Sequence, residues 1–112
     1  KAIYESTCAS CHGVSAKGDG TLSAYLTKAP SDLTTLARRN GGTFPMQLVW
    51  EMIDGRSGIE IGPHGTRAMP VWGQEFRQQA LRNPSDAPRG PEWYVRGRIV
   101  ALLDYLARIQ VK

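Results

Sequence analysis

The sequence predicts an all-α protein of short helices and long loops. Apolar residues recur at helical spacing, most plainly near the C-terminus, where Val95, Ile99, Leu102, Leu103 and Leu106 fall at i, i+4, i+7, i+8 and i+11. Twelve glycines and seven prolines in 112 residues interrupt the chain often, so much of it must be loop. No run shows the strict alternation of half-buried strands. At this length one domain is expected, 1–112, with room for a single modest core.

Each element follows from local chemistry. Residues 1–12 read as a short helix. "VSAKGDGTL" is a glycine-rich loop, and "LSAYLTK" a helical turn stopped by Pro30. "SDLTTLARRNGG" offers Ser31 or Asp32 as a cap, a short helix, and Asn40-Gly41-Gly42 as its stop. In "TFPMQLVWEMIDG", Pro45 suits a first turn and Gly55 the position past a helix end, with Leu48, Val49, Met52 and Ile53 on one face. "RSGIEIGPHGTRAMPVWG" is irregular. "QEFRQQALR" predicts a turn or two of helix, and "NPSDAPRG" a loop. Pro91 opens the last helix, whose stripe Tyr105 and Ile109 extend.

"CASCHG", residues 8–13, holds both cysteines and one of the two histidines. Three chemistries use such a cluster. A thioredoxin-like dithiol wants a strand before the first cysteine and a βαβ setting, whereas "KAIYEST" reads as helix. Structural zinc takes four protein ligands, and only His64 remains to add one. Covalent haem attachment uses C-x-x-C-H as it stands: the thiols add to the vinyl groups and the following histidine reaches the iron. One helical turn lets Cys8 and Cys11 flank a porphyrin edge while His12 projects over the ring. The spacing favours one haem c, and the other two readings stay open. A macrocycle would also supply the apolar centre that short helices and loops lack.

Net charge is +4. Residues 1–60 carry six Lys/Arg and six Asp/Glu, and 61–112 carry eight and four, so the excess lies in the second half. Arg77, Arg82, Arg89, Arg96 and Arg98 crowd one stretch. They form either a solvated face or a docking surface for an acidic redox partner. No basic run interleaved with aromatics suggests nucleic acid. No run of 18 apolar residues predicts a membrane span. Thioether attachment implies assembly outside the bacterial cytoplasm. A periplasmic placement is therefore expected, as a mature chain freed of a signal peptide or as part of a membrane-anchored protein.

Together, "CASCHG", "GDG", "DLTTLARRNGG", "IDGR", "HGTRAMPVWG" and "VALLDYL" resemble class I c-type cytochromes, especially small monohaem proteobacterial ones. The resemblance covers nearly the whole chain. It implies the cytochrome c fold, short helices and long loops wrapped around one covalently bound haem. By the same resemblance, Cys8 and Cys11 are the thioether cysteines, His12 the proximal ligand and Met69 the distal ligand, and Tyr105 faces the N-terminal helix. Many relatives read GDGP where this chain has "GDGT", which assigns to the Thr21 carbonyl the hydrogen bond from His12 Nδ1. The implied function is carriage of single electrons between redox partners, a dehydrogenase or reductase on one side and an oxidase or cytochrome on the other. A filled sixth site implies no enzyme activity. Two other roles stay open: a cytochrome subunit or domain of a larger dehydrogenase or oxidase, and a haem enzyme or ligand sensor with a labile sixth ligand.

The remaining candidates are weighed by setting. Met46 and Met52 fall on a predicted helix, where methionine fills cores. Met69 precedes Pro70, which keeps it extended in a loop. His64 is its rival as ligand. Arg67 and Trp72 flank Met69 and are the preferred donors to haem propionates, ahead of Arg38, Arg39, Arg56 and Trp50. Tyr25 and Phe44 are expected to pack against the ring.

Overall fold

A computed structural model describes residues 1–26, 28–56 and 69–111. Regular structure among them consists of α-helices and 3₁₀ turns, with no strand, as the sequence predicts. The chain divides into two compact units, Lys1–Pro45 with Ala101–Lys112, and Met46–Val100.

The first unit opens with α1 (Ala2–Thr7) and α2 (Ala9–His12). The sequence reads as one helix here, but the turn restarts at Cys8. The Cys8 N–H closes on the Tyr4 carbonyl at 2.8 Å, and the N–H groups of Cys11 and His12 both turn to the Cys8 carbonyl at 3.2 and 2.9 Å. Among the described residues from α2 to Pro45, the regular structure is three 3₁₀ turns, Ser23–Tyr25, Leu33–Thr35 and Arg38–Asn40. The helix expected in "SDLTTLARRNGG" is thus two tight turns. Asp32 is its cap: one carboxylate oxygen accepts from the Thr34 N–H at 2.9 Å and from the Thr34 hydroxyl at 2.6 Å. The Thr35 hydroxyl and the Arg39 guanidinium donate to the Asp32 carbonyl at 3.3 and 2.7 Å. These local bonds compete with the i→i−4 ladder and leave only short 3₁₀ pieces.

Helix α5 (Pro91–Arg108) begins in the second unit and ends in the first. Its final turns bury Leu102, Leu103 and Leu106, and Tyr4, Ala16 and Thr34 are the other buried side chains of the first unit. Tyr4 is fully buried, and its ring meets Tyr105 with centroids 5.2 Å apart. Gln110 fastens the end of the chain. Its amide donates to the Leu33 and Leu106 carbonyls at 2.6 and 2.8 Å, and its oxygen accepts from the Ala37 N–H at 2.9 Å.

The second unit holds α3 (Met46–Asp54), α4 (Trp72–Arg82) and the start of α5. Pro45 directly precedes α3, and the Gly55 N–H closes it on the Glu51 carbonyl at 2.9 Å. Its buried face is narrower than the sequence suggests: Val49 and Ile53 are buried, whereas Leu48 is 55% exposed. Helix α4 starts two residues before the predicted "QEFRQQALR" and buries Gly73, Phe76 and Ala80. A side chain at Gly73 would overlap the Asp54 carboxylate, with its Cβ 2.8 Å from the Asp54 carbonyl oxygen. Only glycine lets α4 begin against the end of α3. Val95 and Ile99 of α5 are also buried.

Burial separates two leucines that periodicity alone does not. Leu102→Ala is expected to lose about 2–5 kcal/mol and Leu48→Ala no more than about 0.5 kcal/mol. Denaturant unfolding of the two variants measures the contrast, and equal losses would refute the assignment.

Candidate haem-attachment site

Cys8 and Cys11 are both free thiols, half-buried, and separated by one turn of backbone. Burial pushes the Cys8 thiol up to about 12, with the neighbouring Cys11 adding to the shift. A thioredoxin-like dithiol wants a strand before its first cysteine, and here helix α1 precedes Cys8. Among the described residues no group of three or more His, Cys, Asp or Glu side chains is placed to hold a metal ion, which leaves zinc without a ligand set there. His64 lies outside the described residues.

His12 is the last residue of α2. Its Nδ1 lies 3.0 Å from the Ser31 carbonyl oxygen. A carbonyl only accepts, so Nδ1 carries the proton and Nε2 keeps its lone pair for a metal. This corrects the assignment of Thr21. Thr21 is exposed on the turn after Gly20, and the carbonyl within reach of the ring is Ser31's.

Loop geometry explains the displacement. Helix α2 ends with carbonyls that have no partner of their own. The N–H groups of Leu22, Gly20 and Gly18 donate to the carbonyls of Ser10, Cys11 and His12 at 2.8, 3.0 and 2.8 Å. The glycine-rich loop therefore folds back along the haem motif. A Cβ at Gly20 would stand 2.6 Å from the Cys11 carbonyl carbon, which accounts for "GDG". A Cβ at Gly18 would stand 2.5 Å from the Pro30 carbonyl oxygen, so the next segment passes close by. That segment reaches His12 through residue 31.

The strap around Ser31 is itself tied down. The Leu33 N–H donates to the Ala16 carbonyl at 2.7 Å, and the Val111 N–H to the Thr34 carbonyl at 2.8 Å. The Thr34 hydroxyl and N–H hold the Asp32 carboxyl below the usual carboxylate range. Gln110 and Arg39 complete the strap. Sequence reasoning offers Ser31 or Asp32 as the cap, and the structure selects Asp32. The sequence has no signal for the Ser31 carbonyl on His12 or for the Gln110 side chain, which bonds distant backbone groups.

The other candidates fall as follows. Tyr25 is exposed, as are Leu22 and Leu26 beside it, and Phe44 lines a cleft of about 610 Å3 with Ala37, Ala107 and Val111. Arg39 is held by Asp32 and Thr35. In the second unit Met69 is half-buried in a bend before Pro70. Trp72 is half-buried at the start of α4 and stacks on Phe76 at 6.0 Å. Arg67 lies outside the described residues. Arg56 bonds Asp54 at 2.6 Å and Glu92 at 2.9 Å, which raises the Arg56 guanidinium and lowers the Glu92 carboxyl.

The donor set fits haem c: two free thiols on one turn, and an imidazole with Nδ1 tied and Nε2 left as the ligand. Residues 1–83 match the family described as cytochrome c oxidase, cbb3-type, subunit III. With 83 of 112 residues matched, the chain belongs to this family as a c-type cytochrome domain. That membership implies covalently bound haem c and a role in electron transfer, and domains of this kind typically lie outside the cytoplasm. No helix among the described residues is long and apolar enough to cross a membrane. Comparison with curated proteins and with solved structures found no match.

Two variants probe the frame of the motif. Gly20→Ala forces the loop off α2 and is expected to lose about 1–3 kcal/mol, read by denaturant unfolding; an unchanged midpoint would refute the close approach. The buried Tyr4 hydroxyl donates to the Gly13 carbonyl at 2.6 Å. Burial, then Cys8, Tyr105 and Asp19, raise its pKa well above the ordinary tyrosine value. The unfolded chain therefore loses this proton first, near pH 10. The stability linked to it is whole below that pH and declines as pH rises further. The Gly13 carbonyl keeps the Ala16 N–H at 3.0 Å, so Tyr4→Phe is expected to cost about 0.5–1.5 kcal/mol at neutral pH and to flatten the decline above pH 10. A stability–pH profile parallel to the parent's would contradict the assignment.

Proposed function

We propose that residues 1–112 form one monohaem c-type cytochrome domain that passes single electrons between redox partners and is not an enzyme by itself. The observation that carries this reading is His12, held at Nδ1 by the Ser31 carbonyl inside a C-x-x-C-H turn. When bound, the haem supplies an iron that accepts and returns one electron. Cys8 and Cys11 would hold it by thioethers, and His12 Nε2 would ligate the iron. The bond to Ser31 fixes the ring's tautomer and orientation. We propose Met69 as the thioether ligand. Its place before Pro70 supports this, and a soft thioether favours the reduced iron. Trp72 and Arg67 are the proposed donors to the propionates. Donor dehydrogenases or reductases and acceptor oxidases or cytochromes are the partner classes, and the periplasm is the proposed location.

The family description favours a second reading, that this domain serves as a subunit, or part of one, in a larger oxidase. Stable co-migration with other oxidase subunits on native gels would select it, and a freely diffusing protein of the chain's own mass plus one haem would select the shuttle. A ligand sensor would instead bind carbon monoxide rapidly in the reduced protein.

After acid–acetone treatment the protein should retain one haem by mass, and release of all of it would overturn the roles of Cys8 and Cys11. The oxidised protein should show the far-red sulfur-to-iron charge-transfer band. Met69→Ala should abolish the band, lower the potential and open the iron to carbon monoxide, whereas Met46→Leu should leave the band in place. A band that survives in Met69→Ala removes Met69 from the iron.

A further inference from the structure

The segment entering α5 carries an aromatic and cationic surface that the haem motif does not involve. Trp93, in the first turn of α5, is 56% exposed. The Arg89 guanidinium lies 5.6 Å from a Trp93 ring centroid and the Arg96 guanidinium 5.9 Å. Beside the indole is a cleft of about 210 Å3 lined by Ala87, Pro88, Gly90 and Tyr94, with Asp86 the carboxylate in its wall.

The five arginines of this stretch are not equivalent. Arg77 pairs with Glu92 at 3.4 Å. Arg98 is half-buried over the rings of Phe76 and Tyr94, at 5.6 and 5.3 Å. Arg82, Arg89 and Arg96 are exposed and have no carboxylate partner among the described residues. Two of these three flank Trp93.

We infer that Arg89, Trp93 and Arg96 form a docking site for a partner protein that presents carboxylates around an apolar side chain. Each guanidinium is drawn to the negative face of the indole ring. These contacts hold the guanidiniums in place and reduce the side-chain entropy lost on binding. A guanidinium receives a carboxylate through two parallel hydrogen bonds. Tryptophan and arginine are also the side chains that dominate interface energetics. The cleft has the size and apolar lining to take one side chain of the partner. A phosphate surface is the poorer fit, because lipid-binding clusters gather about four to eight basic residues, and here two guanidiniums flank one indole.

The inference takes its purpose from the electron-carrier reading, but the binding is measured without electron transfer, so each can fail alone. The test uses the full chain with its haem, labelled with nitrogen-15. The probe is a peptide of glutamates flanking a central leucine, with the glutamine version as control. Saturable shifts of the Trp93 indole N–H and of the Arg89 and Arg96 amides are expected from the glutamate peptide alone. Arg89→Gln with Arg96→Gln should weaken binding by about tenfold, the scale of a modest interface hot spot. Arg82→Gln with Lys28→Gln removes the same charge elsewhere and should weaken it less than about twofold. Trp93→Leu should weaken binding while the helical circular dichroism stays at the parent level. Equal weakening by both double variants would reduce the effect to net charge and overturn the proposal. Absence of saturable shifts at Trp93 would also overturn it, as would phosphatidylglycerol vesicles shifting these signals where the peptide does not.

Discussion

The hydrogen bond between His12 Nδ1 and the Ser31 carbonyl is the contact on which the candidate site depends. It joins residues 19 apart in the chain. Without it the imidazole could turn about its side-chain bonds and exchange tautomers. With it, one nitrogen is fixed as donor and the other is left as the ligand. Everything around Ser31 serves to hold that carbonyl in place. Leu33 is tied to Ala16, Asp32 to Thr34, Arg39 to Asp32, and Gln110 to Leu33.

The same unit shows why so short a helix persists. Four residues of α2 cannot stand alone, because an isolated turn does not recover the cost of nucleation. The glycine-rich loop completes it by donating three N–H groups to the carbonyls of Ser10, Cys11 and His12. Tyr4 adds a buried hydroxyl that satisfies the Gly13 carbonyl just beyond. The haem motif is thus framed by backbone hydrogen bonds. The bulk of apolar burial in this unit lies with Tyr4, Leu102, Leu103 and Leu106.

In the second unit the charges sort by partner. Arg56 and Arg77 share Glu92, and Arg98 lies against two aromatic rings. These arginines join elements within the unit. Arg89 and Arg96 instead face an exposed indole, where a guanidinium is oriented and still available. A count of basic residues treats Arg77, Arg82, Arg89, Arg96 and Arg98 as one surface, and the structure separates Arg77 and Arg98, which fasten elements, from Arg89 and Arg96, which face the indole.

The sequence by itself determined the all-α class, the C-x-x-C-H motif, a cap at Ser31 or Asp32 and the buried stripe of α5, because each is written in side-chain type and spacing. A helix stripe repeats at its own period, and metal-binding side chains announce themselves by identity. The tertiary structure alone decided that Ser31, and not Thr21, faces His12, since every residue has a carbonyl and only chain closure selects one. It decided that Leu48 is exposed while Val49 is buried, because periodicity gives a face but not the width of what covers it. It broke the first helix at Cys8, where two N–H groups turn to one carbonyl. It also engaged Arg77 with Glu92 and Arg98 with two aromatic rings, because ion pairs and ring contacts between distant residues have no local signature.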